Sequence, residues 1–181
     1  SIVFVIGSTF LLNSQSVNKL KKDLLNSIEE KTLELTSLSD KIWEAAEVAF
    51  REDKSAEYLI EYAEANGLTI ERGLAGMPTA FTASYGKGKP VIGIIGEFDA
   101  LPGLSQTTAP YRDELIEGGA GHGCGHNLFG TASLCAAIAI KELIEKGSIE
   151  GTVKFFGTPA EEKFFGKLWM IREGVFDDVD I

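Results

Sequence analysis

Histidine and cysteine are scarce here: 181 residues carry two of each. Two cysteines cannot frame a disulfide-stapled secreted module. One of them, Cys135, lies in the apolar run Leu134-Cys135-Ala136-Ala137-Ile138 and reads as a small buried hydrophobe. Basic residues are also in deficit, 17 Lys and Arg against 27 Asp and Glu, for a net charge of −10. That balance argues against a nucleic-acid partner, because phosphate binding relies on Lys and Arg to release counterions. It leaves an anionic substrate open, since a local metal site can hold one on an acidic protein. The apolar run Ile2 to Leu12 is too short to span a bilayer, so no membrane span is expected. The chain also lacks a Gly-x-Ser-x-Gly nucleophile elbow, a P-loop and the His-x-Glu with Pro-Cys-x-x-Cys of zinc deaminases. A closed structural zinc site wants four Cys or His ligands, and the window His122 to His126 offers only His122, Cys124 and His126.

What is present is the balance of a soluble globular chain, 44% apolar and 24% charged. Its length suffices to bury about two thirds of the unfolded surface, so no staples are needed. Residues 2–12, followed by Asn13, Ser14, Gln15 and Ser16, have the length of a signal-peptide core but no basic flank and no initiator Met. Residues 1–16 are therefore read as a leader or truncated export signal, with a short strand or unstructured leader as the alternative. Localisation stays open between cytoplasm and export.

The periodicity predicts helix over 17–48, where Leu20, Leu24, Leu25, Ile28, Leu35, Leu38, Ile42 and Trp43 recur mostly at three- and four-residue steps. A second helix is expected from Lys54 to Asn66, stopped by Gly67. Leu68–Ile70, Ala80–Tyr85 and Val91–Ile95 are short and β-prone. The turn Gly86-Lys-Gly-Lys-Pro90 suggests that the last two pair antiparallel. Val91–Ile95 has almost no polar alternation, which suits a central strand buried on both faces. Residues 101–126 read as a long functional loop. An apolar helix Leu128–Lys146, a strand Gly151–Phe156 and a helix Lys163–Glu173 complete the order. The fold class is α/β, a mixed β-sheet with helices on both faces.

Three segments fall at or just after predicted strand ends, where open α/β sheets bind ligands. They are Gly96-Glu-Phe-Asp-Ala-Leu-Pro102, Gly119-Ala-Gly-His-Gly-Cys-Gly-His-Asn127 and Gly157-Thr-Pro-Ala-Glu-Glu162. Both histidines share a five-residue window with Cys124. Packing does not easily explain such a cluster, and its glycines let Cys124 and His126 turn toward one centre. Zinc accepts thiolate, imidazole and carboxylate together, while manganese prefers more oxygen. Glu161 and Glu162 could merely complement a helix dipole. Beside a metal, one of the pair can ligate while the other acts on water as a general base. Asp99 either orients a ligand from behind or simply starts a turn.

At these segments the chain resembles peptidase family M20, the di-metal aminoacylase and carboxypeptidase hydrolases. The likeness is strongest to the amidohydrolase branch, in which His-x-Cys-Gly-His precedes a helix and Pro-Ala-Glu-Glu follows the next strand. It is carried by Gly88-Lys-Pro-Val, Gly96 to Gln106, Gly121 to Leu128 and Ile171 to Asp180, and covers about residues 35–181. The resemblance implies two divalent metal ions, zinc or manganese. Cys124 would bridge them, His126 and Glu162 would ligate, Glu161 would be the general base and Asp99 the supporting carboxylate. His122 matches the first His of the motif and is not counted among the ligands. Glu97 stands where the peptidase branches have a metal-binding His. The implied reaction is hydrolysis of an amide in an N-acyl amino acid such as aminobenzoyl-glutamate, a small-molecule substrate. The implied assembly is a homodimer or hetero-oligomer. The family also uses two histidines beyond the Glu pair, and this sequence has no further His. Residues 17–181 are thus expected to form the N-terminal portion of a catalytic domain, with an incomplete site and an exposed sheet edge. A non-catalytic partner subunit that keeps the fold is the competing reading.

Overall fold

The computed structural model describes the backbone of residues 2–181 and the side chains from residue 16 onward. The reading of residues 1–16 as a leader therefore falls almost wholly outside the described side chains. In chain order the helices and strands are α1 (Ile2–Glu30), α2 (Thr32–Ala45), α3 (Asp53–Ala65), β1 (Thr69–Arg72), β2 (Phe81–Lys87), β3 (Val91–Gly96), α4 (His126–Glu145), β4 (Gly151–Gly157), α5 (Glu161–Phe164) and α6 (Gly166–Arg172).

The expected single helix over 17–48 is two helices, because Lys31 leaves helical geometry at φ −96°, ψ 3°. The apolar stripe continues across the break, so periodicity alone does not reveal it. The expected helix Lys163–Glu173 likewise divides at Phe165, which adopts a left-handed φ of 54°.

The sheet order is β1-β2-β4-β3, antiparallel except for the parallel pair β3 and β4. This corrects two expectations. β2 and β3 do run in opposite directions, but β4 lies between them, so the Gly86–Pro90 connection spans about two strand spacings, ~9.5 Å. β3 is not central: it is the outer strand, and Ile95 is 38% exposed. Its apolar run has a different cause. Ile94 packs into the main core on one side, and a Cβ at Gly93 would meet Val179 and Phe156 on the other. The free edge of β3 is partly used, since Gly93 N–H donates to Ile181 C=O at 2.9 Å and Asp180 N–H to Val91 C=O at 2.9 Å.

The main core lies between the sheet and α2, α3 and α4, where Ile42, Leu59, Leu134 and Ile138 meet Phe81, Val153 and Phe155. Phe81 packs against Phe98 and Phe155 with ring centroids 6.1 and 5.7 Å apart. Burying each of these rings contributes about 1.5–3 kcal/mol. On the opposite face Phe156 meets Met77, Ala80 and Met170 of α6. Helices thus cover both faces, as the α/β reading expects. Among the described residues, α4 is the one helix long and apolar enough to cross a membrane, but half of its length is buried against the sheet and neighbouring helices, as in a core helix.

Candidate metal centre

The site forms beyond the carboxyl ends of β3 and β4, the parallel pair of the sheet. Phe98, fully buried, anchors the segment after β3, and Ala100 N–H donates to Glu47 C=O at 2.7 Å. Asp99 between them is 1% exposed. Its two carboxylate oxygens tie the three motifs together. Oδ1 lies 2.9 Å from His126 Nδ1, and Oδ2 accepts the Glu162 N–H at 3.0 Å.

α4 begins on His126 itself, two residues earlier than expected. Gly125 precedes it at φ 79°, a left-handed turn that glycine takes without strain. This turn places the imidazole at the helix start. His126 Nδ1 faces only acceptors, the Asp99 carboxylate and the Asp99 carbonyl at 3.0 Å, so it carries a proton. Nε2 is then the nitrogen available to a cation. It stands 2.9 Å from Glu97 Oε2 and 3.9 Å from Glu161 Oε2. Glu97 Oε1 is in turn ion-paired with Lys167 of α6.

Two donor triads result. Ligand atoms of Cys124, His126 and Glu162 lie within 4.8 Å of one another, and so do those of Glu97, His126 and Glu161. His126 belongs to both, yet its one free lone pair can serve a single cation. A second cation would have to rest on sulfur and carboxylate.

The electrostatics follow from this crowding. Burial works against a charged His126, but the hydrogen bond to Asp99 and the charges of Asp99, Glu97 and Glu162 outweigh it and raise its pKa. Burial also works against an ionised Asp99, and the bonds from His126 and the Glu162 N–H outweigh it, so Asp99 is held below its ordinary value. Desolvation, then Asp99 and Glu161, push the Glu162 carboxyl up. Desolvation and the charges of Glu162 and Glu161 push the Cys124 thiol up as well. Glu162 Oε1 is buried and has no hydrogen-bond partner. An orphaned acceptor beside a thiol and an imidazole is the environment that a divalent cation satisfies, so the residues fit a metal.

The structure thus brings Cys124, His126, Glu161, Glu162 and Asp99 into one place. His122 is elsewhere: its Nε2 donates to Ile42 C=O at 3.0 Å, under the end of α2. Of three nearby contributors, the sequence reading placed Glu97 at the position of the peptidase branches' histidine without giving it a role, and did not single out Lys167 or Glu52. Glu97 carried a usable signal, because it lies two residues before Asp99 in the same motif. Lys167 and Glu52 carried none. Glu52 is fully buried, and its Oε1 accepts the Ala160 N–H at 2.8 Å.

The sequence profile of peptidase family M20/M25/M40 matches residues 93–181. The chain is 48% identical over 156 residues to one of the subunits of the p-aminobenzoyl-glutamate hydrolase of Escherichia coli, covering 86% of this chain and 32% of that protein. It is 30% identical over 174 residues to the Xaa-Arg dipeptidase of Mus musculus, covering 90% of this chain and 37% of that protein. In structure it matches the Bacillus subtilis YXEP protein, described as a dinuclear metal-binding peptidase of the M20 family. That match has a TM-score of 0.61 and 27% identity, over 80% of this chain and 40% of the other. The chain spans about a third of the length of the two curated relatives. It belongs to the M20/M25/M40 peptidase family.

Proposed function

We propose that the protein carrying this chain hydrolyses the amide bond of an N-acyl amino acid, with aminobenzoyl-glutamate the best named substrate, at a centre of two divalent ions, zinc or manganese. The observation that supports this most directly is the pair of donor triads meeting at His126. Cys124, His126 and Glu162 would hold one ion. Glu97 and Cys124 are the side chains placed to help with a second. Such ions, when bound, supply Lewis acidity toward the amide carbonyl and make water easier to deprotonate.

The chain's own residues account for the rest. Asp99 fixes the His126 tautomer and, through the Glu162 N–H, the start of α5. Glu161 is the more accessible of the Glu pair, with 37% of its side chain exposed against 14% for Glu162. That accessibility supports Glu161 as the general base. It takes a proton from the attacking water as oxygen bonds to the carbonyl carbon, then gives it to the nitrogen as the C–N bond breaks. The E. coli relative is named as a subunit, which supports assembly with a partner chain or a second copy.

The test is release of p-aminobenzoate from p-aminobenzoyl-glutamate by the full-length protein reloaded with Zn2+ or Mn2+. Glu161→Gln is expected to cut kcat by about 10²–10⁴ while metal content holds. Unchanged turnover in that variant would remove Glu161 as the base. A metal-replete wild type with no turnover on any N-acyl amino acid would favour a non-catalytic partner subunit.

A further inference from the structure

Glu52 belongs to none of the three motifs and precedes α3, far from them in sequence. Its side chain is fully enclosed. Burying an acid is costly unless its oxygens are met, and both are. Oε1 accepts the Ala160 N–H at 2.8 Å and Oε2 accepts the Thr79 hydroxyl at 3.3 Å. Ala160, immediately before the Glu pair, is also fully buried and sits in the left-handed region at φ 58°, ψ 37°. An alanine held there costs about 1–2 kcal/mol. The turn into α5 is therefore gripped from two sides: Glu52 holds the N–H before the pair, and Asp99 holds the N–H of Glu162 at 3.0 Å.

We propose that Glu52 is a positioning residue of the metal centre, whose carboxylate locks Ala160 in its left-handed conformation and so aims Glu161 and Glu162 at His126. The assignment rests on the metal-centre reading above. Without an acceptor at Oε1, Ala160 relaxes toward negative φ. The following peptide then rotates and carries both glutamates away from the imidazole. Glu52 hydrogen-bonds Thr79 and the Ala160 N–H and no ligand atom of either triad, so its grip on the pair passes through the backbone. Beside it acts a repulsion between its charge and that of Asp99, which Glu52→Gln and Glu52→Met remove alike.

The experiment uses the full-length protein, stripped of metal and titrated with Co2+, whose visible absorption reports the ligand set. Glu52→Gln keeps an acceptor oxygen for the Ala160 N–H, and Glu52→Met fills similar space without one. Co2+ affinity is expected to fall about tenfold in the Met variant, with a changed absorption band, and less than about threefold in the Gln variant. In turnover, kcat should fall with the Co2+ affinity while KM stays nearly level. Adding Ala160→Gly to Glu52→Met should recover affinity to within about threefold, because glycine takes left-handed geometry without strain. Equal losses in the Gln and Met variants, wild-type affinity in the Met variant, or no recovery on adding Ala160→Gly would each overturn the assignment. If Glu52→Met alone does not fold, the double variant decides: recovered folding with Co2+ uptake supports the lock, and failure overturns it. A wild type that takes up no Co2+ sinks the metal reading itself, and this inference with it.

Discussion

Away from the site, several acids are each met by a base. Lys31 pairs with Glu142, Arg72 with Glu57 and Lys89 with Asp180, all at 2.6 Å, and Lys141 with Glu145 at 2.7 Å. Beyond the ends of β3 and β4, by contrast, Glu97, Asp99, Glu161 and Glu162 crowd one imidazole and one lysine. The surface pairs neutralise themselves, whereas the site carries negative charge that its own cations do not balance. Isolated charges at a surface tune stability weakly. Unbalanced charges packed together are a standing demand for an external cation.

The contrast can be broken first with metal. Zn2+ or Mn2+ at a hundredfold excess over Kd should stabilise the full-length protein by about 2.7 kcal/mol, read as a rise in Tm. No rise would mean that the crowded acids are already satisfied. Next, Asp99→Asn should weaken metal binding about 10–100-fold, or about 1.4–2.8 kcal/mol, by calorimetric titration. It removes the charge behind His126 and one of the two acceptors that meet the imidazole and the Glu162 N–H. Unaltered affinity would show that Asp99 does not set the ligand.

Opposite signs are then expected from removing one charge in each of the two regions. In the metal-free protein Glu162→Gln should raise urea stability by about 1 kcal/mol, because burial and like charges hold its carboxyl above the ordinary value. At the α1–α4 junction, burial opposes ionisation of Glu142, but Lys31 and Ser27 outweigh it and depress its pKa below 4.5. That pair's contribution is present above pH 4.5 and is lost as pH falls through the lower folded value. Lys31→Met should therefore cost up to about 1 kcal/mol at neutral pH and flatten the acid limb of the stability curve. A pH dependence identical to wild type would count against the pair. The smallest effect belongs to Arg72→Ala. Its bond to Glu57 is about half-exposed on both sides, and its loss should cost about 0.5 kcal/mol or less by denaturant unfolding.

The chemistry-bearing residues were legible because glycine, histidine, cysteine and paired acids fall in short windows at strand ends. Strand adjacency was not. A connection such as Gly86–Pro90 reports that the chain turns, but not that a strand more than fifty residues later will enter between its two arms. The apolarity of Val91–Ile95 reports cover on its faces and is silent about neighbours at its edges. The break at Lys31 was hidden because the helical stripe resumes in phase with the core. Lys167 and Glu52 act across 70 and 108 residues, and no local pattern encodes such pairings. Glu97 was the exception, since it stands in the same short motif as Asp99.

Gly130, in the first turns of α4, touches the strand end so closely that a Cβ there would stand 2.6 Å from the Glu97 carbonyl oxygen. Bare backbone meets bare backbone at that point, one helical turn from His126. The distance between the start of α4 and the main chain of Glu97 is consequently set like the jaws of a fixed caliper, by backbone against backbone. Any side chain added at residue 130 would force those jaws apart and carry the imidazole away from the end of β3.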